Sequence, residues 1–390
     1  MKHSTALPVV CPPIVRLPLV CLLALAATSC LASSSSDGGG TKGAPDSGAP
    51  ASTAGDPTKN TLNEDTIQYR ELAGHPGCTV DGLEARAVTP YTAAKIPGYQ
   101  CAAKEYPMGA TPEDKSKPIV LLVHGNSSTP ADYEKYPADT GTPMLSERLV
   151  AAGFHTFAVD MRFDKTDDPT GDNAKGNAAH NIDHGWGVPI VQHFVEAMMA
   201  AYPGRQFEIV SFSLGPTVVR DALRRSHKKG THVFERIDGL VYVSGANHGV
   251  SSFRALCASN PTMRGRVACE MGDRTAYVMT DFAKPLNGPD GAFETPCLDG
   301  DSAYGQTGVC GKHKVKYTTV VMQDISQGTF QDEFVSEASA ALKGADNKTV
   351  SLADTDPTGY FLKGLFKSHY GPLRSEAGLK IILGALGAGN

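Results

Sequence analysis

The sequence predicts an α/β protein built on a mostly parallel, doubly wound sheet. Short apolar runs of strand length alternate with segments of helical periodicity from about residue 117 onward. A short turn containing serine and glycine separates a strand from a helix near the centre of this pattern. Because strands separated by helices of this length are joined by right-handed crossovers, they are expected to pair in parallel.

Six apolar runs account for the predicted strands. The first, Pro118–Val123, is apolar throughout, as expected of a strand buried on both faces. The others are His155–Met161, Gln206–Phe212, Gly239–Ser244, Tyr317–Met322 and Lys348–Leu352. Helices are predicted over Met144–Ala152, Trp186–Tyr202, Pro216–Arg225 and Glu376–Leu386. Since ligands bind beyond the carboxyl ends of parallel strands, residues that follow each strand are candidates for a site.

The N-terminal segment has the pattern of an export signal. The apolar run Leu17–Ala27 follows basic residues and is too short to span a bilayer. Small residues and then Cys30 come next, an order that resembles the bacterial lipoprotein processing signal and implies a lipid anchor on Cys30. A plain secretory signal is the alternative. Residues 1–29 are therefore expected to be removed. Residues 30–61, rich in Ser, Gly and Pro, are expected to be a flexible tether that joins the anchor to a domain spanning residues 62–390.

Composition and charge narrow the classes of function. The 390 residues are 41% hydrophobic and 20% charged, which is ordinary for a globular protein. The 36 basic and 41 acidic residues give a net charge of −5, without a basic stripe, so nucleic-acid binding is not indicated. A local cluster at His180, Asp183 and His184 lacks an obvious further ligand, which favours a surface loop over a metal site.

Cysteine usage agrees with export. Six cysteines follow the predicted leader: Cys78, Cys101, Cys257, Cys269, Cys297 and Cys310. An even number in an exported chain favours disulfides. Proximity in sequence suggests the pairs Cys78–Cys101, Cys257–Cys269 and Cys297–Cys310, with other pairings open. Four of the six lie within residues 246–314, a stretch too long for a plain connection. We expect a disulfide-stapled cap or lid insertion there.

The turn at the centre of the pattern carries the candidate nucleophile. Ser211-Phe212-Ser213-Leu214-Gly215 matches the nucleophile elbow G-x-S-x-G, with Ser211 in place of the first glycine. Such a turn lifts the Ser213 hydroxyl above the sheet and places it at a helix N-terminus, where backbone N–H groups favour negative charge. Capping of the helix is the alternative role for Ser213.

A serine hydroxyl needs a general base to attack a carbonyl carbon, and the base needs an acid to orient it. His369, ahead of the last predicted helix, is favoured as the base over His248, which follows the fourth strand. Asp332 is favoured as the acid over Asp324, which lies almost on the end of the fifth strand. Helix capping is the alternative role for Asp332.

The chain order Ser213, Asp332, His369 resembles that of the α/β-hydrolase superfamily, and of bacterial lipases in particular. The resemblance covers about residues 117–390. The segments Gly245–Gly249 and Asp332–Ser336 lean toward triacylglycerol lipases and extracellular polyhydroxyalkanoate depolymerases. The resemblance implies the α/β-hydrolase fold and places His369 in a loop, followed by a short turn containing Gly and Leu and then the final helix. It also implies an oxyanion hole formed by the backbone N–H groups of Asn126, after His124-Gly125, and Leu214.

The implied activity is hydrolysis of ester or lipid substrates through a Ser-His-Asp triad and an acyl-enzyme, without a cofactor. His248 is expected to line the substrate pocket. Phe361 and Phe366, in the apolar segment before His369, are expected to line an acyl pocket, or else to pack into the core. The alternatives are a polyhydroxyalkanoate depolymerase, a serine peptidase or amidase, and a non-catalytic surface binding protein of the same fold.

Overall fold

The computed structural model describes residue 96 and seven ranges within the unit that runs from Ser52 to Asn390. These ranges are 103–125, 128–134, 144–161, 188–250, 284–324, 330–351 and 367–388. Several predictions lie outside them: the leader and linker with Cys30, the cysteines at 78, 101, 257 and 269, Asn126, the cluster from His180 to His184, Phe361 and Phe366. The described residues do not test these predictions.

A mostly parallel sheet forms the centre of the fold. Its strands are β1 (Ala103–Glu105), β2 (Ile119–Val123), β3 (Thr156–Val159), β4 (Phe207–Phe212), β5 (Ile237–Val243), β8 (Lys316–Asp324) and β10 (Asp346–Val350). They lie in the order β1-β3-β2-β4-β5-β8-β10, and only β1 runs antiparallel along this path. A further strand, β9 (Phe330–Gln331), pairs antiparallel with the end of β8.

Helices cover both faces of the sheet. They are α1 (Leu145–Ala151), α2 (Val188–Ala201), α3 (Gly215–Lys228), α4 (Lys284–Asn287), α5 (Glu337–Ala340), α6 (Lys367–Arg374) and α7 (Glu376–Ala385), with short 3-10 turns at Pro130–Tyr133, Val233–Arg236 and Pro289–Gly291. Alternate residues of β2 enter two separate cores: Ile119 and Leu121 pack with α2 and α3, whereas Val120 and Leu122 pack with α1 and α7. This confirms the predicted doubly wound α/β class and explains why β2 is apolar throughout.

The strand order places a crevice beside β2 and β4. From β2 the chain passes to β3 on one side, and it then returns to β4 on the other side of β2. At such a switch point the loops that leave the two strands diverge, and ligands of open α/β sheets bind there. Both His124 and Ser213 directly follow these strands, so the topology brings the two predicted turns to one place.

The described part of the insertion, from residue 284 to residue 314, contains one of the predicted disulfides. Cys297 and Cys310 are bonded and fully buried. Between them lies a small hairpin of β6 (Ser302–Ala303) and β7 (Gln306–Thr307), which pairs separately from the main sheet. Among the described residues no helix has both the length and the apolar character needed to cross a membrane.

Removal of this disulfide is expected to destabilise the domain. The bond closes a loop across a separation of 13 residues, and chain entropy predicts a loss of about 3 kcal/mol for a loop of that size. Cys297→Ala/Cys310→Ala tests this by thermal unfolding followed by circular dichroism, and its Tm should fall by several degrees relative to the native protein. Alanine is chosen because a serine hydroxyl would be buried there. Equal Tm values for the two proteins would contradict the prediction.

One local prediction was wrong. His369 and the residues that follow it lie within helix α6 rather than in a loop and a short turn. Gly371 and Pro372 disfavour a helix by propensity, which is why the sequence pointed to a turn. Tertiary contacts override this preference: α6 and α7 meet so closely that a Cβ atom at Gly378 would lie 1.8 Å from the carbonyl oxygen of Pro372. Glycine at position 378 therefore permits the crossing of the two helices.

Candidate active site

Ser213 lies on a sharp turn between β4 and α3. Its φ is 61°, in the left-handed region that residues other than glycine rarely occupy. Two backbone hydrogen bonds hold this conformation: the Ser213 N–H donates to the Val243 carbonyl at 2.9 Å, and the Ala246 N–H donates to the Ser213 carbonyl at 3.0 Å. Strained backbone of this kind persists only where the surroundings impose it. The side chain is half-buried between fully buried neighbours, Phe212 and Leu214.

Small residues around Ser213 are required by close backbone approach. A Cβ atom at Gly215 would lie 2.6 Å from the Val123 carbonyl oxygen and 2.8 Å from that of His124, so only glycine fits. The same added atom would also lie only 3.3 Å from the Ser211 Cβ, so the lack of a side chain at position 215 leaves room for that of Ser211. The substitution of the first motif glycine by Ser211 is therefore compatible with the turn.

His369 joins Ser213 to Asp332 in one chain of hydrogen bonds. The His369 Nε2 lies 2.9 Å from the Ser213 Oγ, and its Nδ1 lies 2.9 Å from each carboxylate oxygen of Asp332. Since a carboxylate only accepts, Nδ1 carries the proton and Nε2 is left to accept from the Ser213 hydroxyl. His369 and Asp332 are both buried. The structure thus brings together the three residues that the sequence predicted, although they lie 119 and 37 residues apart.

Two aromatic rings fix the plane of the His369 imidazole. The Phe212 ring centre lies 4.9 Å away, and that of Phe334 lies 5.0 Å away with its ring nearly perpendicular. These contacts keep water from the sides of the ring and restrict its rotation. Phe212 comes from the elbow and Phe334 from the segment of Asp332, so the loops that carry the hydroxyl and the acid also pack the base.

Asp332 directly follows β9, the short strand that pairs with the end of β8. Its N–H donates to the Met322 carbonyl at 3.3 Å, and its Oδ1 accepts the N–H groups of Phe334 and Val335 at 2.8 and 3.0 Å. These contacts form a turn, whereas the helix that follows is capped by Ser336. Asp332 is therefore no helix cap. Asp324 is the last residue of β8, and its side chain lies outside the described atoms.

The turn after β2 lies against the Ser213 side chain. A Cβ atom at Gly125 would be 2.7 Å from the Ser213 Cβ and 3.3 Å from its Oγ, so glycine leaves room beside the hydroxyl. His124 is buried, its Nδ1 lies 2.9 Å from the Gly125 carbonyl, and its Nε2 accepts the Met161 N–H at 2.9 Å. His124 thus shapes the turn. The Leu214 N–H donates no hydrogen bond within the described part of the chain.

His248 is held in a buried polar cluster. Its Nε2 lies 2.9 Å from Glu294 Oε1, and its Nδ1 lies 3.1 Å from the Ser339 carbonyl. Burial would raise the pKa of Glu294, but the hydrogen bonds from His248 and from the Lys343 N–H outweigh it and lower this pKa. The cluster joins the loop after β5, the insertion and the segment that follows α5. A substrate contact by His248 stays a prediction, and no sequence signal indicated Glu294 as its partner.

The described residues contain no group of three or more His, Cys, Asp or Glu side chains placed to hold a metal ion. Two further residues that contact His369, Glu333 and Ser244, were missed by sequence reasoning. Both act on its main chain, and main-chain contacts between distant segments leave no motif of their own.

The sequence matches no protein-family model and no curated protein. Solved structures to which the chain is similar include the mature form of Bacillus licheniformis lipase BlEst2, with 14% identity, a TM-score of 0.43, and 73% of this chain and 97% of that chain covered. Aspergillus fumigatus lipase B has 17% identity and a TM-score of 0.44, over 84% of this chain and 65% of that one. Carboxylesterase CesB from Bacillus subtilis has 12% identity and a TM-score of 0.29, over 67% and 82%. Since these scores are too low to support an inference, the class of the protein depends on its own topology and geometry.

Proposed function

We propose that this chain is a serine hydrolase of the α/β-hydrolase fold that cleaves carboxylic esters. The observation that carries the proposal is the unbroken hydrogen-bond chain from Asp332 through His369 to Ser213. Three features support it: the left-handed turn at Ser213, the switch point between β2 and β4, and the order nucleophile, acid, base along the chain. A serine that only capped a helix would not require a buried histidine and carboxylate joined to its hydroxyl by hydrogen bonds.

The proposed reaction has two steps, and in each of them His369 accepts one proton and then returns it: from Ser213 to the alcohol in the first step, and from water to Ser213 in the second. As the Ser213 Oγ attacks the ester carbonyl carbon, its proton passes to His369 Nε2, and Asp332 stabilises the imidazolium that forms. The tetrahedral oxyanion accepts hydrogen bonds from two backbone N–H groups, those of Leu214 and Asn126. Asn126 is assigned this role because it directly follows Gly125 in the sequence. The alkoxide leaves with the proton from Nε2. Water then attacks the acyl-enzyme by the same route and releases the acid.

An activity-based probe tests the nucleophile. We expect a fluorophosphonate to label the purified protein at Ser213, because the probe reacts with serine hydroxyls activated by a neighbouring base. Ser213→Ala should abolish labelling, and peptide mapping should place the adduct on the tryptic peptide that contains Ser213. Ser211→Ala is the matched control, since it removes a buried hydroxyl on β4, two residues before Ser213. No labelling, or labelling that persists in Ser213→Ala, would overturn the proposal.

The choice of esters follows from the resemblance of residues 245–249 and 332–336 to lipase segments. Nitrophenyl esters of graded acyl length, measured against amide analogues and polyhydroxyalkanoate films, separate the substrate classes. Cleavage of esters well above amides and films supports the proposal. Preference for amides would assign a peptidase or amidase, and preference for films a polyester depolymerase, while the nucleophile would be unchanged.

A further inference from the structure

The main chain of His369 is held by a side chain from the acid loop. Glu333 Oε2 accepts the His369 N–H at 2.7 Å, and its Oε1 accepts the Ser368 N–H at 3.2 Å. In return, the Ser368 Oγ accepts the Glu333 N–H at 3.1 Å. The two segments are 35 residues apart in sequence, so this is a reciprocal contact between distant parts of the chain rather than a local cap.

These donors need an acceptor because they lie in the first turn of α6. The first N–H groups of any helix have no partner within the helix, and a polar residue just before the helix usually accepts them. Here the preceding residue in sequence is Phe366, whose side chain has no acceptor. Glu333 takes over this role, and its negative charge suits the positive end of the helix dipole.

The carbonyl group of His369 is held by a hydrogen bond as well. The buried Ser244 Oγ donates to the His369 carbonyl at 2.8 Å. Ser244 directly follows β5 with a φ of 46°, and its N–H donates to the Val320 carbonyl at 2.7 Å. A residue other than glycine in this conformation is strained, and such strain is common at sites where the protein holds a side chain in one orientation.

We propose that Glu333 is a positioning residue that fixes His369 for proton transfer. Adjacent residues of one loop hold the histidine in two ways, because Asp332 holds the ring and Glu333 holds the main chain. With Ser244 on the carbonyl, both the backbone and the ring orientation are set, and the 2.9 Å contact from Nε2 to Ser213 follows. Glu333 touches no substrate in this assignment. The inference rests on the proposed function, since it assigns a role in that same reaction.

Glu333→Ala is expected to lower kcat roughly 10- to 100-fold, the cost of a small misplacement of a catalytic group. The KM for a nitrophenyl ester should stay within about twofold, and the rate constant of fluorophosphonate labelling should fall by the same factor as kcat. Glu376→Ala is the matched control: Glu376 is also an exposed glutamate, in the first turn of α7, and it pairs with Arg148. This control should keep the native kcat, even where its Tm falls as much as that of Glu333→Ala.

The outcomes separate the two proposals. If the native protein is not labelled, the proposed function fails. If the native protein is labelled and Glu333→Ala reacts at the native rate, the positioning role alone is overturned. Should Glu333→Ala not fold, Glu333→Gln decides, because its single amide oxygen replaces only one of the two carboxylate acceptors. A kcat several-fold lower at unchanged KM supports the role, and a native kcat overturns it.

Discussion

Asp332→Asn is expected to lower kcat by roughly 10⁴-fold while KM and Tm change little. The amide oxygen of asparagine can still accept the Phe334 and Val335 N–H groups, so the loop keeps its shape. Its NH₂ group, however, can donate toward His369 Nδ1. This favours the tautomer with the proton on Nε2, which cannot accept the proton of Ser213. Steady-state kinetics with a nitrophenyl ester, alongside thermal unfolding, measure both quantities.

Asp324→Asn is the matched control for this experiment. Asp324 ends β8 and was the rival acid in the sequence, whereas the Asp332 carboxylate lies 2.9 Å from the ring of His369. The control should therefore keep kcat close to the native value. If Asp324→Asn lost activity and Asp332→Asn kept it, the acid would have been assigned to the wrong residue, although the geometry of Ser213 and His369 would stand.

The central strands β2 and β4 could be predicted because they are buried throughout. Ile119–Val123 and Phe207–Phe212 are nearly continuous apolar runs, and the observed bounds differ from the predicted ones by one residue at the start. β1 was missed since its sequence, Ala-Lys-Glu, has no apolar period, and it pairs only at the sheet edge. Burial of its lysine depends on an ion pair with Glu134, a partner 30 residues away that no local pattern reveals.

Part of the candidate site could likewise be predicted from the sequence, and part could not. Ser213, Asp332 and His369 could be predicted because each follows a recognisable strand or precedes a helix, and chain order limits the choice. Helix α6 and its cap could not, because Gly371 and Pro372 indicate a turn while the contact that stabilises the helix start comes from Glu333. Tertiary hydrogen bonds of this kind depend on the fold and carry no local signature.

Glu208 lies at the opposite end of β4 from Ser213, and its protonation is expected to make the stability of the protein depend on pH. This side chain is buried, and its Oε1 lies over β5 where Gly239 has no side chain, 3.2 Å from the place a Cβ would take. Its Oε2 has no hydrogen-bond partner among the described residues. Burial, with a smaller contribution from the charge of Asp238, raises the pKa of Glu208 from 4.5 to about 8, and the exposed Lys316 only partly opposes this.

The protein is therefore expected to lose stability as pH rises from about 4.5 to about 8. In this window the folded state keeps a proton that the unfolded state has released. The contribution of the neutral carboxyl is complete below the unfolded pKa and is lost once the pH passes the folded one. A pKa difference of this size corresponds to a loss on the order of 5 kcal/mol in the free energy of unfolding.

Glu208→Gln should remove this decline, because glutamine keeps the shape of the neutral carboxyl and does not titrate. Urea unfolding between pH 4.5 and pH 9 should show the variant close to the native protein at the acid end and more stable at the alkaline end. Glu376→Gln is the control: hydrogen bonds from Arg148 lower the pKa of Glu376, so its titration lies below the window and the native decline should persist. A native protein whose stability is flat across the window would contradict the protonated state of Glu208. Since Glu208 lies far along β4 from the elbow, the variant should keep the native kcat at pH 7, which would separate this stability effect from the chemistry at Ser213.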